Sequence, residues 1–204
     1  MEIVELIIDE EMENAGIDCI SLVSEPAIME SWVALSKQHE IKFAQVDPEQ
    51  RIILGAALVP GRMIYRKSGD REYYVHFSES TVKKSSELFF KNGNHQNSTL
   101  EHQSPISGMT VVESWLITDP EMDKSKLYGM ELPKGTWMIS MKVDDDDIWE
   151  NEILNKKTTG FSIEGFYVSK AEKNHKENHS LDQEIKAEKE LSKIREIIQN
   201  SKSL

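Results

Sequence analysis

Residues 51–59, RIILGAALV, form a nearly continuous apolar run closed by Pro60-Gly61. A run of this length, bounded by a turn signal, predicts a strand buried on both faces. The chain beyond it keeps the same grain. MIYRK (63–67) and REYYVHF (71–77) flank Ser68-Gly69-Asp70 and predict a hairpin. NSTLEH (97–102), MTVVESWLI (109–117), TWMISMKV (136–143) and GFSIEGFYVS (160–169) predict further strands, separated by loops carrying Pro105, Gly108, Pro120, Gly129, Pro133 and Gly135. Two helices interrupt them. Ser78 caps a predicted helix over 79–91, with Val82 and Phe89 one heptad apart on its buried side and Asn92-Gly93 as a left-handed stop. The four aspartates 144–147 open a second, whose apolar residues are Ile148, Trp149, Ile153 and Leu154. Seven or more strands with two helices predict an α+β, β-rich fold: a curved or closed β-barrel with surrounding helices and a C-terminal helical tail.

The flanks divide the chain into three predicted parts. Residues 1–50 read as an N-terminal arm and connection, with strands at EIVELII (2–8) and IDCISLV (17–23). Residues 51–170 are the barrel domain. Residues 171–204 read as a charged linker and an amphipathic helix, whose stripe is Ala187, Leu191, Ile194 and Ile198. Such a short stripe needs a partner helix or the body to pack on. Charge marks the same boundary: residues 1–169 carry a net −13 and residues 170–204 a net +1.

Composition narrows the function classes. A chain of 204 residues is long enough to bury a core without a disulfide or metal, and Cys19 is its only cysteine. No run approaches the roughly 18 apolar residues of a membrane span. The opening MEIVELIIDEEMEN has acids where a signal peptide has bases, which argues against secretion. A net charge of −12 argues against non-specific nucleic-acid binding. A soluble cytoplasmic protein is expected, with no membrane and no nucleic-acid partner.

A hydrolase without a metal or cofactor commonly needs a nucleophile, a base to take its proton and a group to orient the base. Ser162 stands out as a nucleophile, inside an apolar strand between Gly160 and Gly165, where glycines allow another chain to approach closely. A strand serine beside a bulge is the plain alternative. Alternation puts Ser162 and Glu164 on one face and Phe161 and Ile163 on the other. Among the histidines, His102 at the end of a strand and His95 after the helix stop both suit a base, and spacing alone does not separate them. Glu113 interrupts the apolar TVVESWLI, where a carboxylate needs a partner or an outlet to solvent. The aspartates 144–147 lack calcium-loop spacing and sit where acids favour a helix start, so they predict capping rather than metal binding. No metal and no cofactor are expected.

The segments ILGAALVPGRMIYRK, EYYVHFSESTV, KNGNHQNSTLEHQ, GMTVVESWLI, PKGTWMISMKVDDDDIWENEI and GFSIEGFYVSK together resemble the XkdF-type phage serine proteases. ISLVSEPAI followed by ALSK resembles their N-terminal region. This family is similar to the herpesvirus-type capsid proteases. The resemblance implies a β-barrel surrounded by helices, Ser162 of GFSIEG as nucleophile and His102 of the LEH motif as base. It implies Glu113 of VVESW as the third member, with Asp119 and Glu101 behind it. Herpesvirus-type enzymes build their oxyanion site with arginines after the serine strand, whereas here no Arg lies between Ser162 and Arg195. The implied function is a serine endopeptidase that cleaves scaffold and major capsid proteins during prohead maturation, in the host bacterial cytoplasm inside assembling proheads. Self-association is also expected, and the heptad-like tail fits a scaffold-like or packaging element. The alternative is a catalytically inactive structural or scaffold component of the phage head.

Overall fold

A computed structural model describes residues 2–12, 15–25, 50–175 and 191, together with the backbone of 33–35. The described strands are β1 (Glu2–Ile7), β2 (Gly16–Val23), β3 (Val33–Leu35), β4 (Ile52–Leu58), β5 (Ile64–Ser68), β6 (Arg71–Phe77), β7 (Ser98–Leu100), β8 (Ser104–Ile106), β9 (Met109–Leu116), β10 (Trp137–Val143), β11 (Gly160–Phe166) and β12 (Val168–Ser169). One α-helix, α1 (Glu79–Lys91), lies between β6 and β7. Short helical turns occupy Asn94–Gln96, Lys124–Tyr128 and Ile148–Leu154, the last with wide π-type hydrogen bonding.

The strands form three four-stranded sheets, ordered β12-β1-β6-β5, β3-β4-β10-β9 and β11-β2-β7-β8. The fold is β-rich as expected, but the expected closed barrel is not found among the described residues. The reason lies at β11. It ends its sheet beside β4, yet no ladder joins the two strands. Phe161 on β11 and Leu58 on β4 are each 1% exposed, so the junction is buried without being hydrogen-bonded.

The apolar run becomes β4, and Ile53, Leu54, Ala56, Ala57 and Leu58 are all buried. Its neighbour β10 is equally deep, with Trp137, Met138, Ile139 and Met141 fully buried. The predicted helix forms as read. The Ser78 hydroxyl accepts from the Thr81 N–H at 3.4 Å, and Gly93 takes the left-handed φ of 76° after the last turn. Val82 and Phe89 are fully buried, and the Phe89 ring meets Trp137 edge-on at 5.4 Å. The acidic run opens a helical turn as expected. Asp145 accepts from the Ile148 N–H at 2.9 Å, and Asp146 pairs with Arg51.

The residues expected to form an N-terminal arm supply two interior strands. β1 runs parallel to β6 and antiparallel to β12, with Leu6 opposite Ser169. β2 lies between β11 and β7. Past β12, residues 170–175 are helical and tied to the end of β1 by Lys170–Glu5 at 2.8 Å and Lys173–Asp9 at 3.0 Å. The predicted tail helix, apart from Leu191, lies outside the described residues. No helix among the described residues is long and apolar enough to cross a membrane.

The second glycine of GFSIEG has a definite cause. A Cβ on Gly165 would lie 2.0 Å from the Gly16 carbonyl oxygen and 2.7 Å from the Ile17 Cα. The approaching chain is therefore the protein's own β2, at the bulge between Glu164 and Gly165. Backbone cannot yield as a flexible side chain can. Gly165→Ala should cost about 3 kcal/mol, the upper part of the overpacking range. Circular-dichroism melting should show a clearly lowered Tm; an unchanged Tm would mean that the bulge relaxes freely.

Candidate active site

β7 is only three residues long, and it ends in an unusual turn. Glu101 and His102 both have positive φ, 50° and 58°. For residues other than glycine, this conformation costs about 1–3 kcal/mol each and persists only where the surroundings enforce it. Here several hydrogen bonds do so. The Glu101 N–H donates to the Leu22 carbonyl at 2.9 Å, and the Glu101 carboxylate accepts from the Ser24 N–H at 2.6 Å. The His102 N–H donates to Ser21 Oγ at 3.0 Å. All three partners belong to β2 or the residue after it, so β2 holds the turn.

The same strand holds Ser162. β11 pairs with β2 so that Ser162 faces Ser21, and β2 pairs with β7 so that Ser21 faces Thr99. Opposed residues share a face, so Ser162, Ser21 and Thr99 form one row across three strands. Two residues along β11 from Ser162, Glu164 reaches His102. Its Oε1 lies 3.1 Å from the imidazole Nδ1 and also accepts from the Thr99 hydroxyl. The carboxylate thus lies beside Nδ1, and Nε2 on the other side of the ring is the nitrogen available to accept a proton. Neither Nε2 nor the Ser162 hydroxyl makes a hydrogen bond among the described residues. Ser162 is 8% exposed and His102 about half exposed, so the imidazole is reachable from solvent while the serine is recessed.

Glu113 stands elsewhere, on β9, in the sheet that contains neither Ser162 nor His102. Its carboxylate accepts from Lys124 Nζ at 2.7 Å and from the Ser140 hydroxyl at 2.5 Å. Partial burial works to raise its pKa, but these two hydrogen bonds prevail and hold it below the ordinary value. The structure therefore does not bring Glu113 to His102. Asp119 accepts from the Glu121 N–H, and Glu101 is turned to Ser24. The carboxylate that meets the imidazole is Glu164, and its signal in the sequence was its place on the face of Ser162. His95 stacks on Phe90 at 6.2 Å, at the end of α1. Cys19 faces Glu164 across β2, but burial pushes its thiol up to about 11, so it is a protonated thiol at neutral pH. Among the described residues, no three His, Cys, Asp or Glu side chains are grouped to hold a metal ion.

A family model described as "Putative phage serine protease XkdF" matches residues 40–170. The chain belongs to this phage serine protease family, and the matched span contains both Ser162 and His102. No curated protein and no solved structure matches the chain.

Two outcomes follow for side chains beside and away from the site. Iodoacetamide reacts with thiolate, so labelling of Cys19 should be slow at pH 8 and accelerate towards pH 11, as mass spectrometry can follow. Fast labelling at pH 8 would contradict the burial of Cys19. Glu113→Gln should remove a half-exposed ion pair worth at most about 1 kcal/mol. A carboxyl whose pKa is lowered by folding stabilises the fold above its unfolded pKa and stops doing so as pH falls through the folded value. The difference in Tm between wild type and Glu113→Gln should therefore be present at pH 7 and shrink in acid.

Proposed function

We propose that this chain is a serine endopeptidase of phage prohead maturation, with Ser162 as nucleophile, His102 as base and Glu164 as the residue that positions the imidazole. One observation carries the reading: His102 is held by β2 in a left-handed turn, with Nδ1 on Glu164, in the sheet that carries Ser162 on the same face. Strain enforced by several hydrogen bonds at a polar row is what a preorganised site requires and what a plain strand end does not.

The chemistry follows from these groups. Ser162 Oγ attacks the carbonyl carbon of the scissile peptide bond as its proton passes to His102 Nε2. Glu164 stabilises the imidazolium that forms. Backbone N–H groups receive the charge on the tetrahedral oxygen. Collapse breaks the C–N bond, and the imidazolium returns the proton to the leaving amine. Water, deprotonated by the same imidazole, then hydrolyses the acyl-enzyme and restores the Ser162 hydroxyl. A hydroxyl and imidazole without a hydrogen bond between them fit an enzyme whose catalytic contacts tighten when substrate is bound.

Family membership supports a phage serine protease; scaffold and major capsid proteins as substrates, and the host bacterial cytoplasm inside proheads as the place of action, complete the proposal. Co-expression with phage scaffold and major capsid proteins tests this. Wild type should yield shortened scaffold and capsid products by mass spectrometry, and Ser162→Ala should yield none. Ser162→Ala and His102→Ala should each lower turnover at least about 10³-fold, and the double variant little further, because the two act as a unit. Glu164→Gln should lower kcat strongly and leave KM nearly unchanged, while Glu113→Gln keeps full turnover. Products that persist in Ser162→Ala would favour an inactive structural component of the head.

A further inference from the structure

Behind Ser162 lies a cavity of about 210 Å³, where the three sheets meet. Its walls are apolar: Leu6 from β1, Leu58 from β4, Ile64 from β5, Phe77 from β6 and Phe161 from β11. Ser162 itself borders it. The volume falls below the roughly 300–1,000 Å³ of small-molecule sites and suits a single side chain.

The lining contains one charged residue, Arg66. Alternation along β5 explains its position. Ile64 is buried, and Arg66 two residues on lies on the same face of the strand, is itself solvent-exposed and borders the cavity. Its guanidinium donates to the Tyr65 carbonyl at 3.1 Å, and no carboxylate pairs with it among the described residues. Arg71, on the neighbouring strand, already has Glu2 at 2.6 Å. The surrounding wall desolvates Arg66 and lowers its pKa from the ordinary value, yet it remains a cation at neutral pH. The other polar lining group, Tyr167, has its hydroxyl engaged by Ser85 at 2.9 Å. A ligand entering this cavity therefore meets apolar walls, a cation still lacking a counter-charge, and the Ser162 strand.

The geometry points to an acid-recognising specificity pocket: the cavity receives the glutamate or aspartate side chain of a substrate residue flanking the scissile bond, with its carboxylate on Arg66 and its stem on the apolar walls. This rests on the serine-protease reading of Ser162. A bidentate carboxylate offsets the desolvation of the guanidinium, whereas an amide of the same shape leaves it uncompensated. Arg66 is thus a specificity-determining residue, not a catalytic one.

The test uses the full chain and a peptide library, with cleavage sites mapped by mass spectrometry. Wild type should cut in a Ser162-dependent manner and prefer Glu or Asp over Gln or Asn beside the scissile bond. The preference should be about tenfold to a hundredfold in kcat/KM, the range expected of a hydrogen bond to a charged group. Arg66→Met should abolish that preference, and Arg66→Glu should turn it towards Lys. Ser162-dependent cleavage with no acid preference, or a preference that survives Arg66→Met, overturns the pocket and leaves the protease reading standing. A second measurement does not need turnover. Ser162→Ala protein is titrated with short peptide amides carrying Glu or Gln and followed by NMR at Phe161 and Ile64. The Glu peptide alone should perturb these signals, and Arg66→Met should remove the effect. Selective Glu binding without any Ser162-dependent cleavage keeps the acid site but overturns its role in proteolysis. Absence of both overturns the proposal together with the reading it rests on.

Discussion

The pairing of β2 with β11 on one side and β7 on the other is the constraint on which the candidate site depends. Ser162 and His102 are 60 residues apart in sequence, and β2 separates their strands in the sheet. Its register decides whether they share a face. Ser162 faces Ser21, Ser21 faces Thr99, and a shift by one residue would send each row to the opposite side. Two features resist such a shift. Gly165 accepts the Gly16 carbonyl so closely that no other residue fits there. Ile20 and Leu22 on the opposite face are fully buried and could not be exchanged for Ser21 or Cys19 without loss of the core.

Polar groups on the site face are joined in a chain. Ser21 takes the His102 N–H, and Thr99 and the imidazole both meet Glu164. The Glu164 carboxylate has the Thr99 hydroxyl as its donor and the imidazole beside it, which answers its partial burial. Glu113 meets the same demand by different means, through Lys124 and Ser140. The two glutamates show why a carboxylate in an apolar strand is by itself a poor guide to catalysis. Both satisfy the same electrostatic need, and only the neighbours differ.

What was legible in the sequence follows from the range of the forces involved. Helix α1 could be read to the residue because its cap, its heptad and its stop lie within the helix or next to it. The buried strand β4 was legible as a run bounded by Pro60-Gly61, and the hairpin β5–β6 as two strands about a short turn. Strands β1 and β2 were recognisable as strands but not as interior ones, since their partners, β6, β12, β7 and β11, are remote. The division into three sheets in place of a closed barrel was not readable for the same reason. The shared face of Ser162 and Glu164 followed from alternation within one strand. That Glu164 also reaches His102 required the registers of three strands, and the placing of Arg66 and Ser162 on one cavity required the meeting of three sheets.

The order of the strands also governs when the site can exist. β2 leaves the ribosome before β7, and β11 and β12 follow the other described strands. The His102 turn can form against β2 while Gly160–Phe166 is still unmade, but it then lacks both Glu164 and Ser162. Sheet β12-β1-β6-β5 is likewise incomplete until Ser169 reaches Leu6. Such distant pairings form slowly. A chain interrupted before Gly160 therefore lacks the row of Ser162, Ser21 and Thr99, and the polar face is complete only once β11 has met β2.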